Sequence, residues 1–293
     1  MGGGAVECVL DVRSELGESP MWHAGERRLY WIDITKPAIY RFDPKTRRNE
    51  QLPADLGSYL GGLVFRSRGG WVGVKENGIW AIDPATGTRS LLLNPEAGLR
   101  NNALNDAKCD RQGRLWTGSL DRGEKDPTGH LYVVDKSLKS HRVDSNIICS
   151  NGPAFSPDGR IAYFADSLRR EVYRYSIDPA SGEVGPRQLF ARVSDASVPD
   201  GMTVDADGFL WNAHWDGGRV TRYSPDGKID RIVRLPVSRV TAVGFGGDDL
   251  RTLFITTAAG GLTEAQLKEH PLSGSLFALD PGVRGLPEPD FIG

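Results

Sequence analysis

The sequence predicts an all-β fold, a six-bladed β-propeller. Three observations carry that prediction: a recurring two-strand phrase, the even spacing of its anchor residue, and a third strand after each anchor. The phrase is plainest at residues 198–211, where a carboxylate, Asp200, stands on a Pro/Gly-flanked bend. A short alternating strand follows (Met202, Val204), and Asp-Ala-Asp-Gly then turns into a second strand around Trp211. Trp31, Val72, Trp116, Phe164, Trp211 and Phe254 occupy the same place, at separations of 41, 44, 48, 47 and 43 residues. A third apolar strand follows each anchor, beginning at Ile39, Ile79, Leu131, Val172, Val220 and Leu276. A repeat of ~40 to 50 residues with several short strands cannot bury both faces of its sheet alone, so such units stack around an axis.

Taken in order, the chain opens with an alternating segment, residues 6–12, that has no blade of its own. The last unit has three recognisable strands, near Val243, Phe254 and Phe277, and then a Pro/Gly-rich tail, 282–293, with no convincing fourth. The N-terminal segment is therefore expected to supply that outer strand and close the ring, making residues 1–293 a single propeller domain. The linkers read as turns, among them Pro84-Ala85-Thr86-Gly87, Asp158-Gly159 and Pro225-Asp226-Gly227. Two insertions break the rhythm. Residues 121–129 form a polar loop, and residues 262–271 read as a short helix ended before Pro271, with Thr263 as its cap. Both are expected at the rim, where loops on a rigid scaffold place specificity.

Composition excludes several classes. With 36 Lys and Arg against 38 Asp and Glu, the net charge is −2, and no basic stripe points to nucleic acid or to an anionic membrane surface. Cys8, Cys109 and Cys149 are odd in number and lack metal-type spacing, as expected of free thiols in a reducing compartment. No apolar run approaches ~18 residues, and the first residues lack the basic and apolar regions of a signal peptide. The expectation is a cytoplasmic protein acting on a small molecule, with the oligomeric state left open.

Counting back from the anchors gives the first residue of each innermost strand: Glu18, Gly61, Asn105, Asn151, Asp200 and Thr241. Equivalent places in successive blades are equivalent places around one axis, so Glu18, Asn105, Asn151 and Asp200 should converge at one mouth of the channel. Two carboxylates and two amides, without His or Cys, make a hard-oxygen site suited to Ca²⁺, Mg²⁺ or Mn²⁺. Buried together, the carboxylates would repel one another, which a divalent cation relieves. The plainer alternative is that each is turn chemistry alone, since Asp-Gly and Asn-Gly are turn dipeptides.

The motifs Leu16-Gly17-Glu18-Ser19-Pro20, Asn101-Asn102-Ala103-Leu104-Asn105-Asp106, Cys149-Ser150-Asn151-Gly152, Val198-Pro199-Asp200-Gly201-Met202 and Phe245-Gly246-Gly247 resemble, in order, those of the senescence marker protein/gluconolactonase/regucalcin family. The resemblance implies a divalent-metal-dependent sugar lactonase that hydrolyses an aldonolactone to the aldonic acid. By the same resemblance, Glu18, Asn151 and Asp200 are metal ligands, and Asp200 also moves the proton. Asn105 and Glu124 contact the substrate. The implied cofactor is one divalent ion: Ca, Mn, Mg, Zn or Fe(II). The chain departs from the family at Ala103, where Arg is common, and at Ala107, where many members have Gly, so the identity of the sugar is the least transferable property. Arg122 and Glu124 are the residues expected to fill the space that Ala103 leaves. Two alternatives stand beside this reading: a cation-binding propeller without turnover, and a protein-interaction platform.

Other polar residues read as structural. His23 and His214 each neighbour a Trp and suit packing. Ser19 and Ser150 lack the Gly-x-Ser-x-Gly context of a nucleophile. Asp106, of opposite strand parity to Asn105, suits a supporting or turn hydrogen bond.

Overall fold

A computed structural model of the chain describes residues 4–293 and shows six four-stranded antiparallel sheets. The first strand, β1 (Glu7–Leu10), belongs to the last sheet. Blade one is β2 (Gly17–His23), β3 (Arg28–Asp33), β4 (Ala38–Phe42) and β5 (Asn49–Leu52). Blade two is β6 (Gly62–Phe65), β7 (Trp71–Lys75), β8 (Gly78–Ile82) and β9 (Arg89–Leu93). Blade three is β10 (Asn102–Cys109), β11 (Leu115–Asp121), β12 (Gly129–Val134) and β13 (Ser140–Ile147). Blade four is β14 (Ser150–Phe155), β15 (Ile161–Asp166), β16 (Glu171–Ser176) and β17 (Gln188–Arg192). Blade five is β18 (Val198–Val204), β19 (Leu210–Trp215), β20 (Arg219–Tyr223) and β21 (Ile229–Arg234). Blade six is β22 (Val240–Gly246), β23 (Thr252–Thr257), β24 (Leu276–Leu279) and β1. The first strands form the inner ring, each packed against the next, and β22 returns to β2. This is the six-bladed propeller that the repeat predicts.

The repeated phrase has a physical reason. All six anchors are buried on second strands, where they fill the space between neighbouring blades. Trp116 and Trp211 are tied further, because their indole N–H groups donate to Asp110 at 2.9 Å and Asp205 at 2.8 Å. Each of those aspartates also accepts from the backbone N–H two residues on, at 3.0 Å, so one side chain closes the turn and orients the anchor. Burying an indole of this size stabilises by several kcal/mol, with truncation to Ala costing ~3 to 5.

β1 pairs with β24 through Glu7 with Ala278, Cys8 with Phe277 and Leu10 with Leu276. Val9, Leu10 and Val12 pack on the cluster of Leu29, Trp31, Phe42 and Phe254 between blades one and six. The tail crosses the lower end of the ring: Gly285 N donates to Leu250 O, Arg111 holds Pro287 O, and Phe291 bridges to Arg66 beside β6. On the upper rim the insertion of blade six is the helix α1 (Glu264–Glu269), capped by Thr263 with Gln266 completing a reciprocal capping box.

Candidate active site

The inner strands do not run regularly at the mouth. In five of them the ladder slips where the counted residue stands: between Glu18 and Met21, Asn105 and Ala107, Asn151 and Ala154, Pro199 and Met202, and Val240 and Val243. A bulge bends a strand and re-aims one side chain. The sixth, β6, pairs without a slip, and its counted residue is Gly61. A Cβ on Gly61 would lie 2.2 Å from Leu104 O, so blade two gives the site room rather than a side chain. Ser19, Asp106 and Gly152, which follow Glu18, Asn105 and Asn151, have φ of 49°, 58° and 42°. The left-handed step turns the preceding residue toward the axis. At Gly152 a Cβ would also meet Met202 N at 2.8 Å.

The bulges bring the predicted residues into one network. The Asn105 amide donates to Asn151 Oδ1 at 3.0 Å and Ser150 O at 2.8 Å, and Asn105 Oδ1 accepts from the Tyr59 hydroxyl at 2.8 Å. The Asn151 amide donates to Ser167 Oγ at 2.9 Å, and Ser167 in turn donates to Pro199 O, beside Asp200, at 2.6 Å. Asn212 Nδ2 fixes the Asp200 carbonyl at 2.7 Å. Amides of blades three and four are therefore cross-linked to blade five.

Glu18, Asp106 and Asp200 are 6%, 9% and 7% exposed. Burial raises the Glu18 carboxyl well above its ordinary pKa, and the charges of Asp200 and Asp106 add to the shift. Burial does the same for Asp200, followed by the Asp106 charge, with the Gly201 N–H as the opposing hydrogen bond. Asp106 is raised by burial too, but it is occupied, with Oδ2 accepting from Gly152 N at 2.6 Å and Oδ1 from Ala107 N at 2.8 Å. It pins blade three to blade four, as its strand parity suggests. Lys108 is the cation whose charge reaches Glu18 and Asp106, yet its ammonium is engaged with Met202 O at 2.9 Å and Glu288 at 3.3 Å.

Glu124 is exposed on the rim loop with φ of 52°, and its charge adds to the raising of the Asp200 and Cys149 groups. Ala103 is 2% exposed and faces Leu120 across the strand pair, which makes this wall apolar. His23 lies at the lower end of β2, accepting from Glu26 N at 3.0 Å and packing on Phe65. His214 is buried, pairs with Pro199 across the strands, and directs Nδ1 at Arg219 and Ser197 rather than at the amide network. Sequence reasoning missed Tyr59, Ser167 and Lys108. Tyr59 and Ser167 lie outside the strands and have no repeat position; the only signal for Lys108 is a lone cation in the strand Ala107-Lys108-Cys109.

Among the described residues no three His, Cys, Asp or Glu side chains gather as a metal cluster. The donor set here is of another kind: two buried carboxylates, Glu18 and Asp200, which form no salt bridge among the described residues, and the Asn151 amide oxygen, which accepts from Asn105. Such a set fits a hard divalent cation, because two raised carboxyls share a desolvated mouth and the one cation whose charge reaches Glu18, Lys108, is bonded elsewhere.

Fold and site together define a propeller with an oxygen-donor pocket at one mouth of its channel. The chain belongs to the SMP-30/Gluconolactonase/LRE-like family, whose model matches residues 16–259. It is 38% identical to a 6-deoxy-6-sulfogluconolactonase of Pseudomonas putida over 293 residues, covering 98% of this chain and 99% of that protein. It is 32% identical to a pentonolactonase of Haloferax volcanii, covering 97% of each. Among solved structures, a calcium-binding protein, regucalcin, from Agrobacterium tumefaciens superposes with a TM-score of 0.92 at 27% identity, covering 98% of this chain and 97% of that one.

Proposed function

We propose that this protein is a divalent-cation-dependent hydrolase that opens a sugar lactone, an aldonolactone, to its aldonic acid. The observation that carries the reading is the pair of buried, uncompensated carboxylates, Glu18 and Asp200, beside the Asn105–Asn151 amide pair. Relatives named lactonases along nearly the whole chain support it. Glu18, Asn151 and Asp200 would hold the cation, and when bound it supplies Lewis-acid polarisation of the lactone carbonyl and compensates developing negative charge. Asp200, whose carboxyl is already held in a desolvated setting, takes a proton from the attacking water as the new acyl C–O bond forms. The ring C–O bond breaks and Asp200 returns the proton to the departing alkoxide, leaving the acid and a hydroxyl. Asn105 orients the substrate with its amide while Tyr59 and Ser150 hold that amide still. Glu124 approaches the substrate from the rim. Cys8, Cys109 and Cys149 are free thiols, which supports a reducing cytoplasm as the compartment, and no described helix is long and apolar enough to cross a membrane.

A second reading, cation binding without turnover, is favoured by the regucalcin neighbour. One experiment separates the two: proton release followed with a pH indicator on a panel of sugar lactones, with EDTA and with metal restored. Turnover that vanishes with EDTA and returns with metal supports the lactonase, whereas cation binding without proton release on any lactone sinks it.

A further inference from the structure

Glu96 lies in the connection between β9 and β10, outside every strand, yet it is only 4% exposed. Its carboxylate accepts from four side chains. Oε1 receives Ser119 Oγ at 2.7 Å, the Tyr132 hydroxyl at 2.8 Å and His130 Nδ1 at 3.0 Å, and Oε2 receives Asn102 Nδ2 at 3.0 Å. The donors come from β10, β11 and β12, so one loop carboxylate ties three strands of blade three together. Arg142 lies 3.4 Å from His130 Nε2 and can only donate to it, which leaves the proton on Nδ1 for Glu96.

The network continues into the rim. Asn102 Nδ2 also donates to Thr128 O at 3.0 Å, and Thr128 Oγ1 donates to Asn102 Oδ1 at 2.8 Å. Asn102 is the strand partner of Asp121, so it grips both ends of the loop 122–128. Every residue of that loop is exposed, Glu124 included, so its position depends on its ends and on the Asp121 turn, where Lys125 N donates to the carboxylate at 3.1 Å. Glu96 shapes its own loop as well: its carbonyl accepts from Leu99 N at 2.8 Å, and its N–H donates to Asn94 Oδ1 at 3.0 Å.

We infer that Glu96 is a positioning residue for substrate selection, whose buried carboxylate sets the rim loops 94–101 and 122–128 against each other where the part of the lactone farthest from the carbonyl would lie. The inference rests on the lactonase reading above. A carboxylate is needed because four donors converge on it; a carboxamide of the same shape presents N–H groups to some of them and breaks the network. Glu96 touches none of the proposed reacting groups, so it acts on binding and ranking of lactones rather than on the chemical step.

The test compares Glu96→Gln with Asp110→Asn. Asp110 is fully buried in the same blade and also accepts four hydrogen bonds, from Gln112 N, Arg114 N, Arg114 Nε and Trp116 Nε1, but at the lower end of the ring. Glu96→Gln is expected to raise KM for the preferred lactone about tenfold and compress the ranking of a lactone panel, with kcat within about twofold. Asp110→Asn is expected to lower Tm while leaving KM and ranking alone. Thr128→Val, at an exposed position, should shift KM the same way by less, and it decides the matter if Glu96→Gln does not fold. Wild-type KM and ranking in both rim variants, or an equal shift in Asp110→Asn, overturns the inference. If the wild-type protein opens no lactone, the lactonase reading fails by itself; amide hydrogen exchange of residues 122–128 then decides whether Glu96 places the loop, faster exchange in Glu96→Gln than in Asp110→Asn being expected and equal exchange overturning it.

Discussion

Glu18 and Asp200 carry the heaviest electrostatic load of any residues in the site. Burial raises the proton affinity of both, the Asp200 charge adds to the shift of Glu18, and the Asp106 charge adds to both, so without a cation the pair opposes folding. Asp200→Asn is accordingly expected to raise the Tm of the metal-free protein, by an amount corresponding to about 1 kcal/mol, while abolishing turnover. A variant less stable than wild type in EDTA would show that Asp200 is compensated by something other than a cation. Glu18→Gln keeps the shape and removes a charge, so calorimetry should find much weaker cation binding; unchanged affinity would take Glu18 out of the site. Position 103 tests specificity. An Arg at this buried, Leu120-facing position would offer up to two charge-assisted hydrogen bonds to a lactone lying against this wall. Ala103→Arg should improve kcat/KM for hexono- or pentonolactones by roughly ten- to a hundredfold and lower it for the natural substrate. If the ranking of a lactone panel does not change, the substrate does not reach this wall. His214 governs a different observable. Burial pushes its pKa down to about 3, with the Arg219 charge adding, so the folded protein keeps it neutral. The unfolded chain takes up that proton near pH 6.5. Stability attributable to His214 is therefore complete above pH 6.5 and lost as pH falls toward 3, by several kcal/mol in all. Urea unfolding of wild type and His214→Gln at pH 7 and 4.5 should show a smaller pH effect in the variant; parallel losses would exclude His214 as the source.

At the level of elements, the bulge explains both what the sequence reveals and what it hides. The repeat is legible because each second strand carries a buried apolar anchor in every blade, and in blades three and five the preceding turn adds an aspartate that bonds its own backbone. Counting from those anchors reaches Glu18, Asn105, Asn151 and Asp200 because the inner strands share a bulge as well as a length. Tyr59, Ser167 and Glu96 are not legible in this way, since they lie in connections whose lengths vary and whose partners are set by tertiary packing. Asp106 shows the limit from the other side: its opposite parity points to a supporting hydrogen bond, but only the structure shows that it bonds the next blade through Gly152. The outer strand of blade six yields its own prediction. β1 covers the edge of β24 and adds Val9 and Leu10 to the cluster between blades one and six. Deleting residues 1–12 should cost several kcal/mol and lower Tm, because an unpaired edge and exposed apolar surface would remain. An unchanged Tm would show that β24 holds blade six without β1.

On the scale of the whole molecule, the site and the closure of the ring address the same mechanical problem. Each inner strand packs mainly on the inner strands on either side of it, so the ring depends on every interface and on the closing blade. The proposed ligands come from blades one, four and five, β2, β14 and β18, with blade six between the last and the first. A cation held by Glu18, Asn151 and Asp200 would thus span the blade that β1 closes, and its binding free energy would add directly to the stability of the closed ring. At a concentration one hundred times Kd this linkage is worth ~2.7 kcal/mol. The cation is therefore expected to raise Tm by several degrees over the EDTA-treated protein, with the increment growing with the logarithm of its concentration. The increment should largely disappear in Glu18→Gln. In the 1–12 deletion it should persist at nearly full size, because the ligands remain, so the absolute Tm falls while the metal response stays. A cation that raised Tm equally in wild type and Glu18→Gln would be binding elsewhere, and the mouth of the channel would lose its claim to be the metal site.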